Sequence, residues 1–357
     1  MTALITSFLS RGHHVTLYTV SKDTDESSFH HWGNLRVFVG PCRSRHLARN
    51  FFLPEIDYLQ SAIQQDGASF VHAHWTYEFA LAPLRAGVKT LVTIHDLPWK
   101  VLYHFRDAYR AVRLMMAYEV AWRGRHFTAV SNDAANHFRR YLFPKGKVSI
   151  IPNGLPDWVF EGRGDVARTA NPGVVFASVL QGWTAQKNPK TLLAAFARVR
   201  EALPAAELRM FGMDYEEGGR AQQWAAGRKL DAGVRFIGAL PYQELLRRVA
   251  EEVDIAVHPT LDESFSMSTV EAMALGKPVI GGVRTTGVRE VLDYGRCGVL
   301  TDVRSPEALG AAMLSLAMNP HLQGELVKCA LHRAQTKFRL SHVVDQYEQV
   351  YREIQYF

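Results

Sequence analysis

The 357-residue sequence is 47% hydrophobic and 21% charged, ordinary for a globular protein, and its length predicts two domains that can each bury a core. No apolar run approaches the roughly 20 residues of a membrane span, and the opening MTALITSFLSRGHHV has neither the length nor the flanks of a signal peptide. The net charge of +6 is lopsided, with 18 Lys/Arg against 11 Asp/Glu in residues 1–150 and 23 against 24 in the remainder. That imbalance points to an anionic partner for the first half (lipid surface, phosphorylated acceptor or nucleic acid), or to a plain basic surface.

In chain order, the first ten residues read as a helix with Leu4, Ile5, Phe8 and Leu9 on its apolar stripe and Gly12 at its end. Strands are predicted at VTLYTV (15–20), LRVFVG (35–40), FVHAH (70–74), TLVTIHD (90–96) and HFTAVS (126–131), with one long helix over VLYHFRDAYRAVRLMMAYEVAW. Asn153-Gly154, flanked by Pro152 and Pro156, marks a domain boundary. Beyond it, GVVFASVL (173–180), ELRMFGM (207–213), VRFIGAL (234–240), DIAVHPT (254–260), PVIGGV (278–283) and GVLTD (298–302) read as strands, with a helix over PKTLLAAFARVREALP. The final LSHVVDQYEQVYREIQYF reads as one amphipathic helix.

Strand and helix alternating this way predict an α/β protein of two doubly wound, Rossmann-like domains. The expected division is 1–152 and 153–340, with helix 341–357 returning to complete the first domain. Ligands of such sheets bind beyond the carboxyl ends of the strands, and a cleft between two such domains is the expected site. A doubly wound domain should open with a strand, whereas this sequence opens with a helix, so the natural chain is expected to start upstream of Met1. Cys42, Cys297 and Cys329 are odd in number and widely spaced, with no metal spacing and no disulfide framework, and predict a reducing, cytoplasmic setting.

The stretch TLDESFSMSTVEAMALGKPVI (260–280) carries the chemistry. Glu263 falls just past the strand DIAVHPT, on the ligand rim of the sheet. Ser268-x-x-Glu271 fits a capping box that starts a helix near Ser268, and Gly276 with Pro278 ends it. A helix N-terminus on that rim offers free N–H groups and a positive dipole end to a diphosphate. A carboxylate one turn into the helix suits the two hydroxyls of a ribose. The plainer reading is that Glu271 caps its own helix and Glu263 is a solvated loop acid.

The same stretch resembles the donor-binding motif of the retaining glycosyltransferases of family 4, which have the GT-B fold: Glu, seven residues, Glu, then Ala and a Gly-x-Pro-Val run. HAHWTYEFALAPLRAGVKTLVTIHD, FTAVSNDAANHF, VSIIPNGLPDWVF, QKNPKTLLAAFARV and TTGVREVLDYGRCGVLTDV resemble further segments of that family, in the right order, over residues 10 to 350. The resemblance implies a nucleotide-diphosphate sugar as donor and substrate, with no cofactor and no metal. It implies that Glu271 binds the ribose, that Glu263 contacts the transferred sugar, and that backbone at Phe265, Ser266 and Met267 meets the diphosphate. It further implies that Lys187 neutralises the diphosphate, that Leu240 lines the donor site, and that His95 faces the sugar from the first domain.

One departure stands out. The family carries an arginine five residues before the lysine, and here that position is Gly182, which predicts weaker donor binding. His72-x-His74 share a strand face without a third metal ligand in sight, and Asp23-x-Asp25 reads as a solvated turn. Arg106, Arg110 and Arg113 recur at helical spacing near Trp122, Arg123 and Arg125, as a basic stripe that lies on anionic lipid or simply in solvent. No nucleophile elbow and no nucleic-acid motif appears. The reading is therefore a retaining, metal-independent hexosyltransferase acting on a glycan or lipid-linked acceptor, cytoplasmic or peripheral on the inner membrane face. A nucleotide-sugar epimerase or hydrolase of the same fold, and a degenerate nucleotide-sugar-binding subunit, remain as alternatives.

Overall fold

The computed structural model describes residues 2–44, 50–161 and 173–356. The chain divides into two compact units, Met1–Gly154 with Leu340–Phe357, and Leu155–Arg339.

The first unit runs α1 (Thr2–Ser10), β1 (Val15–Ser21), β2 (Ser28–Trp32), β3 (Leu35–Pro41), α2 (Leu53–Asp66), β4 (Phe70–His74), α3 (Glu78–Arg85), β5 (Lys89–Ile94), α4 (Pro98–Phe105), α5 (Ala108–Arg123), β6 (His126–Ala129), α6 (Asn132–Leu142) and β7 (Lys147–Ile150). The second runs α7 (Trp158–Glu161), β8 (Val175–Val179), α8 (Pro189–Ala202), β9 (Glu207–Phe211), α9 (Arg220–Ala226), β10 (Val234–Gly238), α10 (Tyr242–Glu252), β11 (Ile255–His258), α11 (Met267–Ala274), β12 (Val279–Gly282), α12 (Thr286–Val291), β13 (Val299–Thr301), α13 (Pro306–Ala317) and α14 (Pro320–Lys337). The last helix, α15 (Leu340–Tyr356), belongs to the first unit. Its Val343, Val344, Tyr347 and Ile354 pack with Phe8, Leu91 and Ile151 in one core.

In the second unit six parallel strands lie in the order β10-β9-β8-β11-β12-β13. Helices cover both faces, which is why β8 reads VFASV with four of its five residues buried. Phe176, Leu192, Phe196, Leu208, Met210, Ile255, Ile280 and Met313 form the centre of its core. The strand order reverses between β8 and β11, and such a switch point opens a crevice outside the carboxyl ends of those two strands.

The first unit holds a four-stranded parallel sheet, β4-β5-β6-β7, and a three-stranded one, β1-β3-β2. Among the described residues β1 pairs only with β3 and β4 only with β5. A cavity of about 710 Å³ lies between them, lined by Val15 to Thr19 on one side and Phe70 to His74 on the other.

Two expectations are corrected, and two strands are added. The long helix over 101–122 is two helices, because Arg106 adopts a left-handed φ of 41° and Asp107 caps a new helix by accepting from the Arg110 N–H at 2.8 Å. β2 was not expected, since all five of its residues are exposed and none alternates. It pairs antiparallel with β3 through the two-residue turn Gly33-Asn34. β7 is a further strand that the reading of VSIIPNG as a motif segment did not identify. Finally, Cys297 and Cys329, 32 residues apart, are joined in a disulfide, leaving Cys42 free. Spacing hid this bridge, because α14 brings Cys329 to the turn before β13 only in the folded chain.

Candidate active site

Two loops meet at the switch point of the second unit. The β8–α8 loop carries Lys187 and the β11–α11 loop carries Glu263. Asn188 ties them together: its side-chain amide donates to the Pro259 and Val303 carbonyls at 3.1 and 2.7 Å. Gln186 adds two links, accepting from the Leu261 N–H at 2.8 Å and donating from its side chain to the Asp262 carbonyl at 2.9 Å. Asn188 pays for these contacts with a left-handed φ of 55°, and Pro189 starts α8 at once.

The result places the Lys187 Nζ 2.5 Å from Glu263 Oε1. His258, at the end of β11, stands 3.8 Å from the same carboxylate through Nε2. Its ring is held by the hydroxyls of Ser266 (3.3 Å) and Ser268 (3.2 Å). Burial alone would raise the Glu263 carboxyl, but His258 and the Lys187 ammonium hold it below the usual carboxylate range.

The helix N-terminus differs from expectation. Ser266, not Ser268, is the N-cap of α11, its hydroxyl accepting from the Thr269 N–H at 3.4 Å. Ser268 is taken by His258, so the Ser268–Glu271 capping box does not form. Met267 and Ser268 thus occupy the first helical turn, where N–H groups have no intrahelical acceptor. The Phe265 ring packs edge-on to Phe338 at 5.6 Å, and the residue is buried. Glu271 instead accepts from the Tyr242 hydroxyl at 3.0 Å, and burial pushes its carboxyl above the ordinary value. Leu240, just before α10, packs beside Ala177, Phe211, Val249 and Val253. Gly182 has a φ of 86°, and its loop is held by the Asp214 carboxylate accepting from the Trp183 N–H at 2.9 Å.

Three residues of this site were not singled out from the sequence: His258, Tyr242 and Gly287. Gly287 is the second residue of α12, and its N–H donates to the Glu263 carbonyl at 3.0 Å. A Cβ there would stand 2.6 Å from that oxygen and from the Ser264 carbonyl carbon, so only glycine fits. The signal lay in the TTG that follows β12.

The first unit presents a second cluster. His95 follows β5, and its Nε2 lies 2.8 Å from His74 Nδ1 at the end of β4. The Trp75 ring, on a residue with φ 66°, sits 5.1 Å from His95. His72 is held by the hydroxyls of Tyr351 (2.6 Å) and Thr93 (2.7 Å). Burial lowers His95 to about 4 and His72 to about 3, so these rings are neutral at pH 7. Among the described residues no group of three His, Cys, Asp or Glu side chains is placed to hold a metal, and His72 has both nitrogens engaged. Asp23 and Asp25 are in or beside an exposed turn, with Asp23 accepting from Ser21. The basic stripe is corrected: Arg113 turns inward over Tyr77 at 3.7 Å and pairs with Glu78, and Arg106 belongs to the end of α4.

The family model "Glycosyltransferase Family 4" matches residues 1–157, and "Glycosyl transferases group 1" matches residues 172–333. The chain is 28% identical over 260 residues to the putative glycosyltransferase EpsF of Bacillus subtilis, a match spanning 65% of this chain and 64% of EpsF, just under two thirds of that protein's length. In structure it is similar to a sucrose-phosphate synthase from Thermosynechococcus elongatus, with a TM-score of 0.82 at 19% identity over 98% of this chain and 91% of that one. It is also similar to Anabaena HepE, solved in complex with UDP-glucose, with a TM-score of 0.69 at 17% identity over 89% of this chain and 86% of that one. These two likenesses describe the fold.

Proposed function

The chain belongs to the GT-B glycosyltransferases of group 1 and family 4, and from that premise we propose that it moves a hexosyl unit, with retention, from a nucleotide-diphosphate sugar to a glycan or lipid-linked acceptor. The observation that carries the reading is the Lys187–Glu263 contact at the switch point, one loop away from the open first turn of α11.

The diphosphate lies on the N–H groups around Phe265 to Met267, where the helix dipole favours negative charge. Lys187 provides the mobile countercharge as the glycosidic bond loosens, so no metal is needed in this scheme. Glu271, presented by Tyr242, accepts both ribose hydroxyls, and Leu240 lines the donor site. Glu263, oriented by Lys187 and His258, accepts hydroxyls of the transferred sugar. His95, kept neutral by burial, is assigned to the same sugar, with His74 fixing its ring. The acceptor hydroxyl attacks from the face that the diphosphate leaves, which yields retention without a protein nucleophile.

UDP-sugars are the first donors to test, since HepE was solved with UDP-glucose. Incubation with a panel of UDP-, GDP- and ADP-sugars, read by nucleotide release and product NMR with and without acceptor, tests the proposal. A glycoside of the donor's anomeric configuration, formed only with acceptor, supports it. Free sugar or an epimerised donor without acceptor places the chain in another reaction class.

A further inference from the structure

We propose that the Cys297–Cys329 disulfide is a thiol–disulfide switch that holds the loops of Glu263 and Phe265 rigid when oxidised and loosens them when reduced. The bond joins the turn before β13, an edge strand, to the middle of α14. Around Cys329, α14 reaches the candidate donor site at three points. Val327 and Leu331, two residues to either side of Cys329, lie against the end of α11, where a Cβ on Gly276 would stand 3.9 and 3.8 Å from them. Arg333, one turn further on, donates from Nε and Nη2 to the Val291 and Glu290 carbonyls at 3.0 and 2.9 Å, which are the last two of α12. It also pairs with Asp293 at 3.1 Å. Phe338, just past the end of α14, meets the Phe265 ring edge-on at 5.6 Å. Gly287, near the start of α12, in turn holds the Glu263 carbonyl. One helix thus braces α11, α12 and the loop of Phe265, and the disulfide fixes that helix to the sheet.

Two observations favour a switch over a plain staple. The second unit has an extensive core of its own, built on Phe176, Phe196, Leu208 and Ile280, and a domain with that much buried surface has no need of a cross-link to fold. The two sulfur-bearing residues also differ in access: Cys297 is 1% exposed, whereas Cys329 is only partly buried. A dithiol reductant therefore attacks Cys329 Sγ, and Cys297 Sγ leaves as a thiolate that takes up a proton. The second thiol of the reductant then displaces Cys329, giving two protein thiols and one reductant disulfide, a transfer of two electrons and two protons. Exchange in the opposite direction, with a small-molecule disulfide as oxidant, restores the bond. Once reduced, the 32-residue span between the cysteines is no longer closed covalently, and α14 is held by its side-chain contacts alone.

The test is hydrogen–deuterium exchange of the full chain, oxidised and after dithiothreitol, with non-reducing peptide mapping to verify the Cys297–Cys329 bond. Reduction should speed exchange in residues 260–274 and 284–292 by roughly fivefold or more, while β8 and β9 of the same unit stay protected. Cys329→Ser should exchange like the reduced protein under both conditions, and Cys42→Ser should respond like wild type. UDP affinity, read by calorimetry, should fall about fivefold on reduction, and saturating UDP should make the bond harder to reduce by the same factor. These last two readouts rest on the donor site proposed above. Faster exchange on reduction with no UDP binding in either state supports the switch and counts against that donor site. Equal exchange in both states, or the absence of a Cys297–Cys329 peptide from the oxidised protein, overturns the proposal. So does unfolding of the whole second unit on reduction, since the bond would then be a staple and not a switch.

Discussion

Lys187 and Glu263, 76 residues apart, place Nζ 2.5 Å from Oε1, with both side chains about four-fifths buried. Lys187→Met therefore strands a carboxylate whose low pKa depends partly on that ammonium. A stability loss of about 1–3 kcal/mol at pH 7 is expected, read by chemical denaturation. The Glu263 contribution to stability is present above the ordinary carboxylate pKa and is lost as pH falls through the lowered one, so the variant's deficit should shrink in acid. Donor affinity should also drop by tenfold or more.

Glu271 has a raised pKa and accepts from Tyr242. If its carboxylate receives the ribose hydroxyls, Glu271→Gln should weaken donor binding by roughly 10- to 100-fold, with Tyr242→Phe intermediate. As pH falls through the raised pKa, the carboxyl protonates and loses acceptor capacity. Wild-type donor affinity should then decline at mildly acidic pH, while Glu271→Gln shows no such limb. Calorimetric titration over pH reads both.

Gly287→Ala sets a methyl group 2.6 Å from backbone atoms of Glu263 and Ser264, which cannot rotate away. The loop must move, at a cost of about 1–3 kcal/mol. We expect a lower melting temperature and a larger loss in donor affinity than Gly324→Ala, where a Cβ meets nothing within 4 Å.

Gly182 stands where the resembling family carries an arginine. Its φ of 86° strains any side chain, although the nearest atoms, Thr184 Cγ2 and Asp214 Oδ2, are 3.7 and 3.8 Å from a Cβ. Gly182→Arg should lower stability by about 1–2 kcal/mol yet tighten donor binding severalfold, through a second cation at the diphosphate. Unchanged or weaker binding removes this loop from the diphosphate.

His72 and His95 titrate well below their ordinary 6.5. The unfolded chain binds protons on them from pH 6.5 downward, while the folded chain does not until about 3 and 4 respectively. Their contribution is thus full above 6.5 and falls with pH at up to ~1.4 kcal/mol per unit for each. His72→Gln should shallow the acid limb of a stability–pH curve by about one proton's slope.

Much of this was legible because the parallel strands are buried on both faces and read as short apolar runs. The rim position of Glu263 followed from the strand DIAVHPT alone. What escaped depends on folded proximity. Lys187 is silent about Glu263 until Asn188 and Gln186 stitch their loops. Ser268 has the right spacing to Glu271, but His258 claims its hydroxyl and the cap moves to Ser266. The break at Arg106 escaped because a left-handed arginine leaves no mark in a periodic pattern, and β2 because its five residues all face solvent.

A crystal structure with an intact nucleotide-sugar donor tests the central claim most directly. The ribose hydroxyls should lie within hydrogen-bonding distance of Glu271, and the diphosphate should rest on the amides of 265–267 with Lys187 alongside. A donor bound away from both glutamates would contradict the account.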